Sequence, residues 1–329
     1  MNTKRWIALL IVIVLAVGSL GVRFITTFTS NVLSEQFDMT DNILEEEILI
    51  DGDAGEKVAV LSLIGTIENV AASPFGAEGY DHSLFLHMID AAAEDPTVKA
   101  IVLEVDSPGG TVPETAEIHR KIVELQQNYD KPIYVSMGSM AASGGYYVSA
   151  PADKIFAESS TLTGSIGVIM ESINVAGLAE KYGIEFNTIK SGKHKDIMSP
   201  SREMTEEEHE IMQSMIDEMY DEFVDIIVDG RDLSESHVRE IGDGRIYTGN
   251  QAVEVGLVDE IGSLDDTIYH LMDDHELDDA QVVQYGYGAG YFASFFMGVQ
   301  GFINGSSDEI DTIMALLRES DKPRAMYIY

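Results

Sequence analysis

The sequence predicts an α/β fold in which helices pack on a parallel or mixed β-sheet. Short apolar runs, typical of buried strands, alternate with amphipathic segments that are typical of helices. Glycine-rich segments follow two of these strands. In parallel sheets, functional sites lie just beyond the carboxyl ends of the strands. We therefore expect a functional site at that edge of the sheet.

The predicted strands and helices alternate along the chain. Strands are expected at residues 58–67, 100–105, 133–137 and 154–157. Helices are expected at 82–93, 115–127, 143–150, 205–229, 250–255 and 263–273. The helix at 205–229 opens on a Thr-Glu-Glu-Glu capping signal. Its apolar residues recur every four positions and predict a stripe for the core or a subunit interface: Ile211, Met215, Met219 and Phe223.

Composition limits the classes of protein to which this chain can belong. With 329 residues, of which 45% are hydrophobic, it can build one large domain or two small ones. Cysteine is absent, which excludes disulfides, thiolate zinc sites and cysteine nucleophiles. A net charge of −37 argues against a nucleic-acid partner. We interpret the acidity as a solvated surface suited to high salt rather than as a patch that recruits a basic partner.

The N-terminal segment has the pattern of a membrane anchor. Residues 6–22 are uncharged and mostly aliphatic, and they lie between Lys4 and Arg5 on one side and Arg23 on the other. This run is slightly shorter than the roughly 20 residues that span a bilayer. Extension to Ile25, with Arg23 snorkelling to the interface, closes the gap. The preceding positive charges predict a cytoplasmic N-terminus and an extracytoplasmic remainder. A cleavable signal peptide is the alternative.

We predict four parts along the chain. A cytoplasmic tip and anchor occupy residues 1–25, an acidic connector 26–57, the main folded domain 58–275 and a C-terminal extension 276–329. Within the extension, the apolar segment at 291–303 is too short to span a bilayer and is expected in the core or a subunit contact. The last four residues resemble an apolar peptide that can enter a groove.

A serine between small residues is the first candidate for chemistry. Ser143 follows two alanines and precedes two glycines where a strand gives way to a helix. We expect its hydroxyl to be accessible and the N–H of Gly144 to face a developing oxyanion. The turn at Gly109 and Gly110 offers a second backbone donor. A flexible helix start and an ordinary turn are the alternative interpretations of these segments.

Lysines in the loop at 191–196 can supply a base for this serine. A serine hydroxyl needs a base to become a nucleophile, and a lysine can serve when exclusion of water lowers its pKa. Spacing does not distinguish Lys193 from Lys195, and surface lysines are the alternative. Hydroxyls in the segment 161–168 can orient such a lysine.

Other kinds of site have weaker support in the sequence. Eight histidines are scattered along the chain, so spacing alone leaves a Ser-His-Asp triad open. The sequence contains neither a Walker motif nor a dinucleotide fingerprint. We interpret the Asp-Asp-His run at 273–275 as acidic surface. The prediction is therefore no cofactor and no metal.

Several long segments occur together in the order of one known family. The chain resembles the short, Gram-positive type of the signal peptide peptidase A family over nearly its whole length. The segments that carry the resemblance are 106–110, 138–147, 163–168, 191–202 and 256–260. Members of this family are membrane-anchored serine proteases related to the Clp protease and crotonase folds. The resemblance therefore implies repeated β-β-α units and a peptidase domain at 58–275.

The resemblance also implies a role for each candidate residue. Ser143 would be the nucleophile and Lys195 the general base of a Ser-Lys dyad. Gly110 and Gly144 would form the oxyanion hole, and Ser165 would support the lysine. The chain departs from the family in its acidity and in a second lysine, at position 193, which we expect to be exposed.

Assembly and substrate follow from the same resemblance. It implies a homo-oligomeric, dome-like assembly in which serine and lysine can come from neighbouring subunits. Remnant signal peptides would be the substrates, and an apolar groove near the membrane is expected. Two alternatives are a crotonase-like acyl-CoA enzyme and a membrane-tethered binding protein without catalysis.

Overall fold

The computed structural model describes residues 44–69, 80–287 and 325–329. Nearly all of these residues belong to one compact unit, of which 46–69, 80–285 and 325–329 are described. Of a second unit, only residues 44–45 and 286–287 are described. The apolar segments at 6–22 and 291–303 lie outside the described residues. In the described ranges, no helix is both long enough and apolar enough to cross a bilayer.

A mostly parallel sheet forms the centre of the fold. In chain order the strands are β1 (Leu44–Ile50), β2 (Asp53–Ile64), β3 (Val98–Ser107), β4 (Gly109–Thr111), β5 (Ile133–Ala142), β6 (Lys154–Ala157), β7 (Leu162–Gly164), β8 (Ile246–Thr248), β9 (Glu260–Ile261), β10 (Ala280–Tyr287) and β11 (Met326–Ile328). The main sheet has the order β1-β10-β2-β3-β5-β6-β9, and the pairs from β10 to β9 are parallel. Strand β7 pairs with β5 and β8, whereas β11 and β4 form a separate two-stranded sheet.

Helices connect and cover these strands. They are α1 (His82–Glu94), α2 (Val112–Tyr129), α3 (Gly144–Ser149), α4 (Ala176–Lys181), α5 (Glu206–Arg231), α6 (Glu235–Ile241), α7 (Gly249–Glu254) and α8 (Leu264–Asp274). The order β1-β2-α1 is followed by β3-β4-α2, so the expected β-β-α order occurs twice at the start of the described chain. The mixed α/β class and the mostly parallel sheet are therefore confirmed.

Extended structure begins earlier than the sequence predicted. Strand β1 lies within the segment 26–57 that was interpreted as a connector, and β2 begins at Asp53 rather than near Val58. The reason is that β1 is an edge strand whose glutamates are exposed. Edge strands tolerate such charges, and this removes the apolar run by which buried strands are recognised.

The main core lies between one face of the sheet and α8. Strand residues from four neighbouring strands pack against the apolar face of that helix: Val58, Val102, Tyr134 and Phe156 meet Ile268 and Leu271. Asp274 fastens the end of the helix, because Lys154 and Tyr134 both donate hydrogen bonds to its carboxylate. These bonds, that of Lys154 first, lower the pKa of Asp274.

The long helix α5 contributes to the core with only part of its apolar stripe. It begins at a capping box in which Thr205 and Glu208 bond each other's backbone N–H groups. Near its C-terminal end Phe223 is fully buried, but Ile211 and Met215 are exposed. The apolar side chains in the N-terminal half of this stripe are therefore exposed to solvent in the described structure.

Candidate active site

Ser143 occupies a strained turn between β5 and α3. Its φ of 52° and ψ of −114° lie outside the regions that non-glycine residues prefer. Its N–H donates to the carbonyl oxygen of Gly164 (2.8 Å), and its own carbonyl accepts from Tyr147 (2.9 Å). Such backbone strain costs on the order of 1–3 kcal/mol and clusters at functional sites. The surrounding fold therefore keeps the backbone of Ser143 in a conformation that is unfavourable for a serine.

The hydroxyl of Ser143 is buried and free. The residue is only 1% exposed, and its Oγ has no hydrogen-bond partner in the described structure. The prediction that small neighbours leave the hydroxyl accessible is therefore wrong for this chain. Small neighbours in the sequence do not determine exposure, since segments distant in the chain pack here, including β11 on the glycine turn at β4. A buried polar atom without a partner is uncommon and favours a functional role.

The two glycine segments face each other beside this serine. Gly109 has a φ of +97°, and a Cβ atom there would lie 2.6 Å from the backbone nitrogen of Gly144. A Cβ atom on Gly144 would lie 3.1 Å from the backbone nitrogen of Gly110. The N–H of Gly109 already donates to Ser107 Oγ (3.1 Å). The backbone N–H groups of Gly110 and Gly144 are therefore the better pair of donors for a single oxyanion.

The C-terminal tail lies on this turn as an antiparallel strand. In the register of β11 with β4, Tyr327 is opposite Gly110. The N–H of Tyr329 donates to Pro108 (3.1 Å), two residues away from that pair. Because hydrogen-bonded pairs alternate in antiparallel ladders, Tyr327 and Gly110 form the next such pair. The carbonyl of Tyr327 therefore accepts from the N–H of Gly110.

A second segment holds the tail from its other side. Ile169 and Met326 exchange backbone hydrogen bonds of 3.1 and 3.0 Å. A Cβ atom on Gly109 would lie 2.0 Å from the carbonyl oxygen of Tyr327, so no other residue fits at this position. The tail thus has the extended, doubly paired geometry of a peptide in a protease groove.

Of the hydroxyls in the segment 161–168, Ser165 remains free. Thr161 Oγ1 donates to the carbonyl of Gly138 (2.7 Å), and Thr163 Oγ1 donates to that of Ala141 (2.6 Å). The described structure gives the Ser165 hydroxyl no hydrogen bond, and its backbone has a φ of 50°. Spacing alone did not separate these three hydroxyls, whereas the family resemblance named Ser165. In the described structure, Ser165 is the one of the three whose hydroxyl bonds no backbone carbonyl.

Ser165 lines a cavity of about 450 Å³ next to the end of the tail. The other polar walls come from α5, α6 and the loop that follows α6, and Ile328 closes one side. The polar side chains in these walls are Gln213, Asp217, Tyr220, Arg239 and Asp243. The cavity can admit a polar side chain beside Ser165.

Lys195 and Ser143 do not meet within the described chain. Lys195 is exposed, and no residue in the described ranges bonds its ammonium group. Lys193 is exposed, as predicted, and pairs with Glu207. The structure therefore places the candidate nucleophile and the candidate base in separate environments of one chain.

Comparison with known proteins identifies the family. The model of peptidase family S49 matches residues 125–278, which include Ser143 and Lys195. A protein of Enterococcus faecium, provisionally named signal peptide peptidase SppA, is 40% identical over 100% of this chain and 99% of its own length. The chain belongs to peptidase family S49.

More distant relatives agree on the class of enzyme. Protease 4 of Haemophilus influenzae is 36% identical over 64% of this chain, which matches 34% of that protein. The chloroplastic serine protease SPPA of Arabidopsis thaliana is 32% identical over 64% of this chain and 31% of its own length. The predicted family is therefore confirmed, and this S49 peptidase is a serine endopeptidase.

Arg202, to which the sequence analysis gave no role, connects the loop that contains Lys195 to helix α5 of this S49 peptidase. The guanidinium of Arg202 donates from Nε and Nη2 to the carboxylate of Asp196 (3.0 and 2.6 Å). It also donates from Nη1 and Nη2 to Glu208 (2.7 and 2.6 Å), whose side chain is 2% exposed. Sequence spacing gave no signal for this role, because the two partners lie in different elements.

Replacing Arg202 with methionine should destabilise the folded protein at neutral pH. Its hydrogen bonds lower the pKa of both Asp196 and Glu208. Carboxyls with lowered pKa values stabilise the fold above their ordinary pKa near 4, and this stabilisation is lost as pH falls through the folded-state values. We expect a Tm lower by a few degrees at pH 7 and a smaller difference at pH 3, measured by calorimetry. An equal difference at both pH values would contradict this role.

Proposed function

We propose that this S49 peptidase is a membrane-anchored endopeptidase that hydrolyses remnant signal peptides through a Ser-Lys dyad and an acyl-enzyme. One observation carries the catalytic part of the proposal. An extended segment of the chain, β11, lies on β4 with the carbonyl of Tyr327 on the N–H of Gly110. Ser143, whose hydroxyl has no partner in the described structure, directly precedes Gly144, and Gly144 lies beside Gly110. Acyl transfer needs a hydroxyl and such backbone donors around one carbonyl group.

The chemistry then follows from the positions of these groups. Lys195 takes the proton of Ser143 Oγ, and the alkoxide attacks the peptide carbonyl. The backbone N–H groups of Gly110 and Gly144 bind the oxyanion, a contribution of about 10²–10³ in kcat for each donor. Lys195 gives its proton to the leaving amine and then takes one from water as the water oxygen attacks the acyl carbon. It returns that proton to Ser143 Oγ when the ester bond to the serine breaks.

The lysine in this scheme comes from a neighbouring subunit. In the described chain, Lys195 is exposed and Ser143 Oγ is buried, and the two make no contact. The cavity beside Ser165 offers room for a side chain from outside. A second subunit would also exclude water from the lysine, as its role as a base requires.

Exposed apolar side chains support a homo-oligomer. Seven of the sixteen exposed large apolar side chains in the described structure lie on the segment between β7 and α5 that also contains Lys195: Ile169, Ile173, Leu178, Tyr182, Ile184, Phe186 and Ile189. The exposed Ile211 and Met215 of α5 follow the same segment in the chain. Monomeric soluble proteins rarely expose so many large apolar residues on one stretch. We propose that a second copy of this chain covers them.

Membrane attachment and substrate complete the proposal. The apolar run at 6–22 with positive charges before it supports an anchor whose N-terminus is cytoplasmic. The relative from Enterococcus faecium carries signal peptide peptidase in its name. A catalytic domain tethered to the outer face of the membrane would meet the apolar peptides that export leaves there.

The substrate class is tested with the full-length protein in lipid vesicles. Synthetic signal peptides and a water-soluble peptide of equal length are incubated separately, and fragments are identified by mass spectrometry. We expect signal peptides to be cleaved at least about tenfold faster, since the anchor raises their effective concentration near the site. Faster cleavage of the water-soluble peptide would contradict the proposed substrate.

Truncation of the chain after Lys322 is expected to lower KM several-fold. The tail pairs with β4 and so competes with an incoming peptide for the same backbone groups. Its removal leaves kcat within about twofold, because no proposed catalytic residue is lost. Steady-state kinetics with a short quenched peptide checks both parameters. Unchanged KM and peptide affinity would show that the tail does not occupy the substrate groove.

A further inference from the structure

We infer that Arg202 is a positioning residue for the reaction, because it binds the carboxylate of Asp196 and so keeps the adjacent base, Lys195, free of an acidic partner. The inference rests on the proposed function, in which Lys195 is the general base. A lysine serves as a base only after it has lost its proton, and a carboxylate beside it opposes that loss. Asp196 directly follows Lys195 and is the only acidic residue at positions 190–202.

Asp196 and Lys195 have opposite surroundings although they are adjacent in the chain. The side chain of Asp196 is 14% exposed and faces Arg202 and Lys190. Lys195 is exposed, and its ammonium group has no ion pair in the described ranges. A lysine side chain is long and flexible, so its ammonium group can reach a nearby carboxylate that lacks other partners. We attribute the separation of the two groups to the bonds that Asp196 makes elsewhere.

Each nitrogen of the Arg202 guanidinium group donates to an oxygen atom. Nε and Nη2 donate to the two carboxylate oxygens of Asp196 (3.0 and 2.6 Å). Nη1 and Nη2 donate to Glu208 (2.7 and 2.6 Å), and Nη1 also donates to the carbonyl oxygen of Glu203 (2.9 Å). Lys190 adds one bond to Asp196 (2.5 Å). The hydrogen bonds from Arg202, and then that from Lys190, lower the pKa of Asp196, so its carboxylate is ionised and paired.

Glu208 fixes the position of Arg202. Its side chain is 2% exposed, and one of its oxygens accepts from the backbone N–H of Thr205 (3.1 Å) in the capping box of α5. Removal of one partner from a buried ion pair is costly, so this pair stays closed in the folded protein. Arg202 therefore remains at the start of α5 and holds Asp196 there.

The other carboxylates that contact the loop are also paired. Lys193 forms an ion pair with Glu207. The ring nitrogens of His194 lie 3.4 Å from a carboxylate oxygen of Glu207 and 3.5 Å from one of Glu208. Both carboxylates, like that of Asp196, are thus engaged by groups other than Lys195 in the described structure.

Loss of the positive charge at position 202 should raise the pH at which the enzyme becomes active. In Arg202→Met, Asp196 keeps only Lys190 as a cationic partner and can turn toward Lys195. kcat/KM rises with pH as the base of the free enzyme loses its proton, so a carboxylate beside the base moves this rise to higher pH. We expect the midpoint to rise by about 0.5 unit, which lowers kcat/KM about threefold on the acidic side.

Profiles of kcat/KM between about pH 6 and pH 10, measured on the full-length protein with a quenched peptide, test this expectation. The double variant Asp196→Asn/Arg202→Met should recover the native midpoint, because it has no carboxylate to release. Arg202→Lys keeps the charge and should stay within about 0.2 unit of the native midpoint. A midpoint that remains raised in the double variant would overturn the inference, since the shift would not come from Asp196.

Arg231 provides the matched control at the other end of α5. Its guanidinium group donates to Asp259 (2.5 Å) and to the carbonyl oxygen of Ala152 (3.3 Å). Arg231→Met therefore also loses an ion pair, and we expect a lower Tm with an unchanged midpoint. If Arg202→Met behaves in the same way, Arg202 only braces the fold and the inference is wrong. If Arg202→Met does not fold, the exposed Lys190→Met replaces it, and an unchanged midpoint in that variant overturns the inference.

A measurement without turnover separates this inference from the proposed function. Reductive methylation with ¹³C-formaldehyde labels the lysines, and the NMR signal of Lys195 is identified by its absence in Lys195→Arg. Its titration midpoint should rise in Arg202→Met and return in Asp196→Asn/Arg202→Met. If Lys195→Ala retains activity, the proposed Ser-Lys dyad fails, and this titration still tests whether Arg202 protects the lysine from Asp196. Equal midpoints in the native protein and Arg202→Met would disprove that protection.

Discussion

The Ser143→Ala variant is expected to lose peptide hydrolysis, with kcat lowered by about 10⁴-fold or more. The reason is that Ser143 lies in a strained turn and its buried hydroxyl has no hydrogen-bond partner in the described structure. The two glycine segments that face each other lie next to it. Because the Oγ makes no hydrogen bond in the described structure, its removal should cost little stability. Initial rates on a quenched peptide measure the loss, and labelling by a serine-reactive fluorophosphonate should disappear with it.

A second serine serves as the control for that experiment. Ser83 is exposed on α1, far along the chain from the glycine turns, and Ser83→Ala should retain both activity and labelling. Persistent hydrolysis by the Ser143→Ala protein would exclude this residue as the nucleophile. Labelling that persists at the same rate would lead to the same conclusion.

The Lys195→Ala variant is expected to lose about 10³-fold in kcat, within the usual range for a general base. Its fold should be unaffected, since the ammonium group has no partner in the described chain. Lys193→Ala is the matched control from the same loop. It removes an exposed ion pair with Glu207 and should leave kcat within about twofold. Activity retained by Lys195→Ala would remove the Ser-Lys assignment.

Mixing the two inactive variants tests whether the site forms between chains. A neighbouring Ser143→Ala subunit can donate Lys195 to the intact serine of a Lys195→Ala subunit. We expect activity to return after the two proteins are dissociated and reassembled together, to about a quarter of the native value for randomly mixed neighbours. If serine and lysine of the same chain react together, the mixture stays as inactive as its components.

Local chemistry explains which parts of the fold could be predicted. The apolar runs at β3, β5 and β6 are buried on both faces, so periodicity and composition both indicate strands. The capping box placed the start of α5 within one residue. Strand β1 escaped prediction because its edge position permits exposed glutamates.

The candidate site was predictable to a different degree for each residue. Small residues around Ser143 and the paired glycines at 109–110 indicated a nucleophile and its donors without any structure. Spacing alone did not distinguish Ser165 from neighbouring hydroxyls, but the family resemblance named it. The structure adds that Thr161 and Thr163 bond the backbone instead. Arg202 was missed because its two acceptors approach it only after the loop and the helix have folded.

The sequence by itself determined the family and the enzyme class, and it supplied a small set of candidates for a serine nucleophile and its base. This was possible because the motifs that identify the family and its candidate catalytic residues are short segments, which can be recognised in the sequence without a structure. Tertiary structure decided that Ser143 is covered, that Lys195 is open, and that Tyr327 lies between two aromatic rings. These contacts join residues far apart in the chain, and no local pattern encodes which distant segments will pair.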